Sequence, residues 1–497
     1  MNIFFKQLAN KLKFINATDG NVGNKALRSS VWLLIASVSI NSLVIVRSII
    51  LARLLLPEIF GVFTLCTIVM RAVDVFTQSG FNTALIYNYK DYDYNKGTAF
   101  TLTLIRGVVL SMALYFMAGS ISLYYKNTDI KLLTQLISVV FIIKGFKNIN
   151  SVHYEKELNF KLVSIYEQVS TLLSSLITIA VVYIFRNVWA LAASMIACNI
   201  VETILSYLMF KGSVKIEIKL DSARNLFRYG KFITGVSIVV FMITEFDNLI
   251  VGKLLGMEAL GVYGVAYMLA NIPSTHITTV VSRVMMPAYT KLIDNVGELK
   301  GAYLKTLQIV ATVSIPAAFG IGVLSNQIVT VLYGPKWIAA VIPMQILCVF
   351  GGIRSLAATT GPIINALGKP KIGLYLVSLK LIVIALAIFP LTRRYGLIGA
   401  SIAVVVPMIL EQFLLLYLMD RIATVSAKNV FSCVYPALTC SAIMGTCVFI
   451  CGYLLVEVSV FSLFGLILFG VASYVISYKT LFTDRFYVIV NRLRFSQ

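Results

Sequence analysis

Histidine is nearly absent from this chain: only His153 and His276 occur in 497 residues. A histidine-based metal centre or hydrolytic triad therefore has almost no material. Acidic residues are scarce as well, with 21 Asp and Glu against 42 Lys and Arg. Charge of either sign makes up 13% of the chain, too little for the surface of a soluble protein of this size. The seven cysteines (Cys66, Cys198, Cys348, Cys433, Cys440, Cys447 and Cys451) all lie in apolar stretches. Cys433, Cys440 and Cys447 recur every seven residues, but no His or carboxylate joins them, so they read as packing. No cleavable signal peptide is expected, since the first 30 residues are polar and basic. No long polar insertion that could house a soluble domain is present.

What is present is apolar. Hydrophobic residues make up 59% of the chain and mean hydropathy is +0.89. No aqueous core could hide that much apolar surface, so the solvent is lipid. Fourteen spanning helices are expected, at 31–55, 59–85, 97–123, 130–150, 162–185, 188–210, 231–255, 259–289, 302–325, 338–366, 372–391, 396–420, 430–455 and 458–480. Pro273 and Pro362 fall inside two of these runs and should kink or end them.

The net charge of +21 follows the positive-inside rule better than it suggests nucleic acid. With the N-terminus in the cytoplasm, most Lys and Arg fall in cytoplasmic segments. Only Arg53, Lys126, Lys131, Arg186, Lys253, Lys336, Arg393 and Arg394 lie beside external loops. Both termini are then cytoplasmic. The chain divides into a basic N-terminus (1–30), an N-lobe (31–210), a linker (211–230), a C-lobe (231–420), two further helices (421–480) and a tail (481–497). Within the linker, Asp221 or Ser222 could cap a short interfacial helix with Leu226, Phe227 and Tyr229 toward lipid. A plain basic loop would satisfy topology equally well.

Two halves are visible. Ala52-Arg53-Leu54-Leu55-Leu56-Pro57-Glu58-Ile59-Phe60-Gly61-Val62-Phe63 lies over Gly252-Lys253-Leu254-Leu255-Gly256-Met257-Glu258-Ala259-Leu260-Gly261-Val262-Tyr263 when slid by 200 positions. Related halves in a membrane chain imply an interface between them, where transporters bind cargo. A weaker echo pairs Glu202 with Glu411.

Ionisable residues inside apolar runs are costly in lipid and face a bundle interior or a wet cavity. Here they are Arg47, Arg71, Arg106, Arg283, Arg354 and Lys380, with Asp74, Glu167, Glu202, Glu245, Asp247 and Glu411. Arg106 and Arg283 lie near helix ends and could snorkel. Arg71 and Asp74, three apart, could pair on one face. Asp247 is the repeat equivalent of Arg47, which would put opposite charges at matching depth, for cargo or for a bridge between lobes. Guanidinium groups suit a phosphate-bearing anion. Buried carboxylates, Glu245 and Asp247 foremost with Asp74 and Glu411, suit ion coupling or gating. Asp91-Tyr92-Asp93 has the form of a metal-binding pair of some glycosyltransferases, but it sits in a short loop with no nucleotide-binding domain.

The chain resembles the polysaccharide transporter family of the multidrug/oligosaccharidyl-lipid/polysaccharide flippase superfamily, the Wzx-type flippases. The resemblance rests on the two repeat stretches, on Arg283-Val284-Met285-Met286-Pro287-Ala288-Tyr289, on Leu332-Tyr333-Gly334-Pro335-Lys336-Trp337 and on Gly396-Leu397-Ile398-Gly399-Ala400-Ser401. It is nearest the colanic-acid and teichuronic-acid exporter subgroup. The resemblance implies an all-α integral membrane fold of about 14 helices in two pseudo-symmetric lobes. It implies carriage of undecaprenyl-diphosphate-linked oligosaccharide across the bacterial cytoplasmic membrane, beside polymerases and glycosyltransferases of the same pathway, with no enzymatic step. The cargo cations would be Arg47, Arg71, Arg283 and Arg354, and the acidic pair Glu245 and Asp247. No metal or organic cofactor is expected; H⁺ or Na⁺ would be the coupling ion. The same fold could instead carry a peptidoglycan lipid precursor or a cationic drug, though a drug site would be acidic and aromatic.

Overall fold

The computed structural model describes residues 22–77, 92–156, 160–275, 292–454 and 459–487, with a few isolated positions between 281 and 290. Among the described residues all regular secondary structure is helical, and nine helices are long and apolar enough to cross a membrane. The N-lobe is built from α1 (Val22–Leu54), α2 (Pro57–Phe76), α3 (Tyr92–Tyr125), α4 (Asp129–Gly145), the short α5 (Ser151–Lys156), α6 (Phe160–Phe185) and α7 (Val188–Met209). The C-lobe holds α8 (Leu220–Leu255), α9 (Met257–Ala270), α10 (Val296–Val323), α11 (Val341–Ala357), α12 (Thr360–Ala366) and α13 (Pro370–Ala423). Between α10 and α11 the chain winds through one turn of α-helix, a π-turn (Val329–Tyr333) and a 3₁₀-helix (Pro335–Ala340). Then α14 (Ala427–Leu454) and α15 (Val460–Leu481) pack on α10.

The repeated stretch makes the same sharp turn in each half. In the N-lobe, Leu56 is extended and Pro57 opens α2. In the C-lobe, Gly256 makes the turn at φ +91°, a conformation that disfavours any residue with a Cβ. The two products of these turns, α2 and α9, pack directly against each other. A Cβ on Gly61 would lie 1.7 Å from the Met257 carbonyl oxygen, and one on Gly261 would lie 2.0 Å from that of Pro57. The sequence repeat is thus also the contact between lobes.

The long run α13 is two helices. Gly396, at φ +59°, breaks it, and Lys380 Nζ meets Glu411 Oε2 at 2.8 Å. Residues 31 apart along a straight helix would be roughly 46 Å apart, so the halves fold back as a hairpin, matching the expected spans 372–391 and 396–420. The helices near Pro273 and Pro362 also stop short: α9 ends at Ala270 and α11 at Ala357.

The linker departs from expectation. Instead of a separate interfacial helix, 211–219 is extended and docked on α3, where the Thr101 Oγ1 accepts from Glu217 N (3.0 Å) and the Thr98 Oγ1 from Lys219 N (3.1 Å). The alternating Lys215–Leu220 pattern suits that extended path. From Leu220 nothing breaks the helix before Gly256, so α8 absorbs the remainder. Ser222 donates to Asn95 on α3 and does not cap a helix.

Candidate cargo site and its latch

Where α1, α2, α8, α9 and α11 converge, a cavity of about 640 Å³ opens between the lobes. Its wall carries Arg71 and Arg354, the carboxylate of Glu245, and the amides of Asn41, Asn248 and Asn271. Ser48, Thr64, Thr244, Phe60 and Tyr267 complete much of the lining. Both lobes contribute: α1 and α2 from one side, α8, α9 and α11 from the other.

Arg71 reaches across the junction, with Nη1 2.7 Å from Glu245 Oε1 and half of its side chain still exposed to the cavity. Glu245 is buried, and its second oxygen accepts from Asn248 Nδ2 at 3.2 Å. Arg354 donates to Asn271 Oδ1 at 3.3 Å and lies over the Phe350 ring, 5.9 Å from its centre. Among the described residues no carboxylate lies within ion-pair distance of Arg354. A part-buried guanidinium in such a setting can take an anion without first breaking a salt bridge.

The other expected site residues lie elsewhere. Arg47 sits one residue from the cavity-lining Ser48 but faces an adjacent side of α1, roughly a quarter-turn away. It lines a separate chamber of about 280 Å³ inside the N-lobe, with Glu202, Thr67, Ser174 and Ser194. Its repeat equivalent Asp247 is buried inside the C-lobe, where Tyr263 Oη donates to its Oδ2 at 2.9 Å. Phe63, the equivalent of Tyr263, lines the Arg47 chamber. The opposite charges at matching depth therefore each turn into their own lobe and do not face one another. Asp74 pairs with Arg106 of α3, not with Arg71. Glu411 pairs with Lys380 within the α13 hairpin. Arg283 lies outside the described residues. Among the described residues no cluster of His, Cys, Asp and Glu could hold a metal ion.

A further contact between the lobes leaves no mark in the sequence pattern. At the end of α1, Arg53 Nε donates to the Leu332 carbonyl at 2.8 Å, and Arg53 Nη2 to that of Val331. Lys336 Nζ returns the contact, donating to the carbonyls of Arg53 (3.1 Å) and Leu55 (2.6 Å). The fully buried Trp337 donates Nε1–H to Ala52 O at 3.0 Å and packs edge-on against Phe60. Gly334, at φ +101°, lets the C-lobe turn pass close to Arg53, whose Nη1 would be 3.3 Å from a Cβ there. The repeat supplies an echo: Lys253, equivalent to Arg53, donates from the C-lobe to the Tyr124 carbonyl of α3. Cations at one register thus cap the other lobe's carbonyls and tie the two together at the face opposite the linker. Sequence alone marks Arg53, Lys253 and Lys336 only as loop charges.

Residues 50–342 match the family described as "Polysaccharide biosynthesis protein". The chain belongs to that family. Among curated relatives, the lipopolysaccharide biosynthesis protein WzxC of Escherichia coli (strain K12) is 24% identical over 403 residues, covering 80% of this chain and 81% of the relative. The teichuronic acid biosynthesis protein TuaB of Bacillus subtilis (strain 168) is 25% identical over 344 residues, covering 68% and 71%. Among solved structures, the lipid II flippase MurJ in an inward closed conformation superposes with a TM-score of 0.70 at 14% identity, over 90% of this chain and 98% of that one. An inward-facing multidrug transporter of the MATE family and MOP superfamily gives 0.61 at 15% identity, over 78% and 96%. The fold expected for the family, a multi-pass α-helical membrane bundle in two lobes, is the one this chain adopts.

Proposed function

We propose that the protein is a flippase that carries undecaprenyl-diphosphate-linked oligosaccharide repeat units across the cytoplasmic membrane for surface polysaccharide synthesis. The observation that carries this reading is the pair of cavity arginines, Arg71 and Arg354, one from each lobe, with no carboxylate within ion-pair distance of Arg354 among the described residues. A diphosphate offers the paired oxygens that guanidinium groups engage, and an arginine from each lobe lets the headgroup bridge both. Asn41, Asn248 and Asn271 provide donors and acceptors of the kind sugar hydroxyls require.

The second support is an apolar groove on another side of α11. About 600 Å³ in volume, it runs between α10, α11 and α14 past Phe319, Val349, Ile353 and Phe449. A further 360 Å³ hollow shares Ile353, Leu356 and Val434 with it. One helix thus presents a cation to a polar cavity and aliphatic side chains to an apolar groove, as an amphiphile with an anionic head and a long tail requires. The curated relatives are named for lipopolysaccharide and teichuronic acid biosynthesis, which favours a sugar cargo. Two cavity cations disfavour a cationic drug.

In this reading the linker face is cytoplasmic, the latch closes the external face, and cargo enters from the inner leaflet. The test is reconstitution in vesicles with a labelled polyprenyl-diphosphate oligosaccharide. Transfer between leaflets by the wild-type protein, lost in Arg354→Ala, is the expected result. No transfer by a well-inserted wild-type protein contradicts it.

A further inference from the structure

The Arg71–Glu245 pair has an unusual position for a structural salt bridge. It spans two lobes, it lines the cavity, and its cation is half exposed while its anion is buried in the wall. An incoming diphosphate and the Glu245 carboxylate seek the same guanidinium. We propose that Glu245 is an internal competitor for the cargo site: the diphosphate displaces it from Arg71, and the released carboxylate takes up one proton. This inference rests on the diphosphate reading above.

The balance is simple. The Arg71 N–H groups exchange carboxylate oxygens for phosphate oxygens. Among the described residues Glu245 then keeps the Asn248 amide, and a carboxylate this buried holds an unpaired charge at high cost. A proton drawn from the buffered solvent neutralises the carboxylate, and one negative charge of the cargo is matched by it. When cargo leaves, Arg71 and Glu245 re-pair and the proton is released.

The surroundings favour Glu245 over its neighbours for this role. From α2 it faces Arg71; from α9, Tyr267; from α11, Arg354 lies near the same tyrosine. On its own helix Asp247 is turned away and held by Tyr263 and by its neighbour's backbone, Asn248 N at 2.9 Å. Breaking that buried arrangement gains the cargo nothing. Glu245 is the carboxylate of the described cavity lining.

The experiment is calorimetric titration of the full chain in detergent with a short-chain polyprenyl-diphosphate monosaccharide, whose diphosphate does not itself titrate near neutrality. Runs in two buffers of different protonation enthalpy count the protons taken up. The proposal expects uptake approaching one proton per cargo and an affinity that falls by up to about tenfold per pH unit as pH rises through the neutral range. Glu245→Gln should bind several-fold tighter than wild type, because the competing charge is gone, and with no proton uptake. Wild-type binding without proton uptake overturns the proposal and leaves the diphosphate reading standing. So does a Glu245→Gln variant that binds with unchanged proton uptake. Absence of binding by both wild type and Glu245→Gln removes the diphosphate reading itself.

Discussion

Gly61 and Gly261 are 200 residues apart in sequence, and each sits against the other helix's backbone where no side chain fits. Gly61 meets the carbonyl of Met257, and Gly261 that of Pro57, the first residues of α9 and α2. The two halves of the repeat therefore cross at their equivalent glycines. A cavity-lining wall begins at this crossing, since Gly261, Phe60 and Thr64 all border the cavity between the lobes.

Substituting Ala at either glycine should wedge the lobes apart. The nearest obstacle is backbone, which cannot rotate away, so the cost should reach about 3 kcal/mol or more. Thermal unfolding in detergent should show a clear loss of stability for Gly61→Ala and for Gly261→Ala. Gly264→Ala, which has open space at the same position, should be nearly silent.

Removing the latch should open the far face. In a cysteine-free background carrying Thr64→Cys in the cavity wall, the wild-type latch should protect the thiol from a membrane-impermeant maleimide added outside. The double substitution Arg53→Ala with Lys336→Ala removes the described side-chain bonds to the carbonyls of 331, 332, 53 and 55. Labelling should rise several-fold. Unchanged labelling would mean that Trp337 and Phe60 alone hold the closure.

Arg47 and Arg354 should separate in experiment. Arg354→Ala should weaken polyprenyl-diphosphate binding by roughly tenfold or more, the value of a lost charge-assisted contact. Arg47→Ala should leave binding within about twofold, because the chamber it lines is divided from the cavity by α1 and α2. Equal losses would place Arg47 in the cargo path.

The Lys380–Glu411 pair should behave as a buried staple of the α13 hairpin. Both side chains are largely buried, at 13% and 12% exposure. Lys380→Ala alone should cost about 3–5 kcal/mol by stranding Glu411, whereas Lys380→Met with Glu411→Leu should recover most of the loss. Unfolding midpoints of the two variants check this.

The fold was largely legible because lipid as solvent leaves few choices: long apolar runs, basic loops and a repeat point to a two-lobed helical bundle. The site was legible only in part. Arg71, Arg354 and Glu245 stood out as charges at membrane depth and do line the cavity. Arg47 stood out equally and faces elsewhere. In α1 both the lipid side and the protein side are apolar, so periodicity carries no sign of which face turns inward, and Ser48 could not be told from Arg47. The alternative of an Arg71–Asp74 pair is not realised, for a similar reason. Helical spacing permits it, but α3 brings Arg106 to Asp74 and α8 brings Glu245 to Arg71. The latch escaped notice because its acceptors are backbone carbonyls some 280 residues away, which leave no mark in side-chain pattern.

The most direct measurement is leaflet-to-leaflet transfer of a labelled polyprenyl-diphosphate oligosaccharide in sealed vesicles, comparing wild type with Arg71→Ala/Arg354→Ala protein inserted to the same level. The account predicts rapid transfer by the first and background transfer by the second. Wild-type rates in the doubly substituted protein would contradict it.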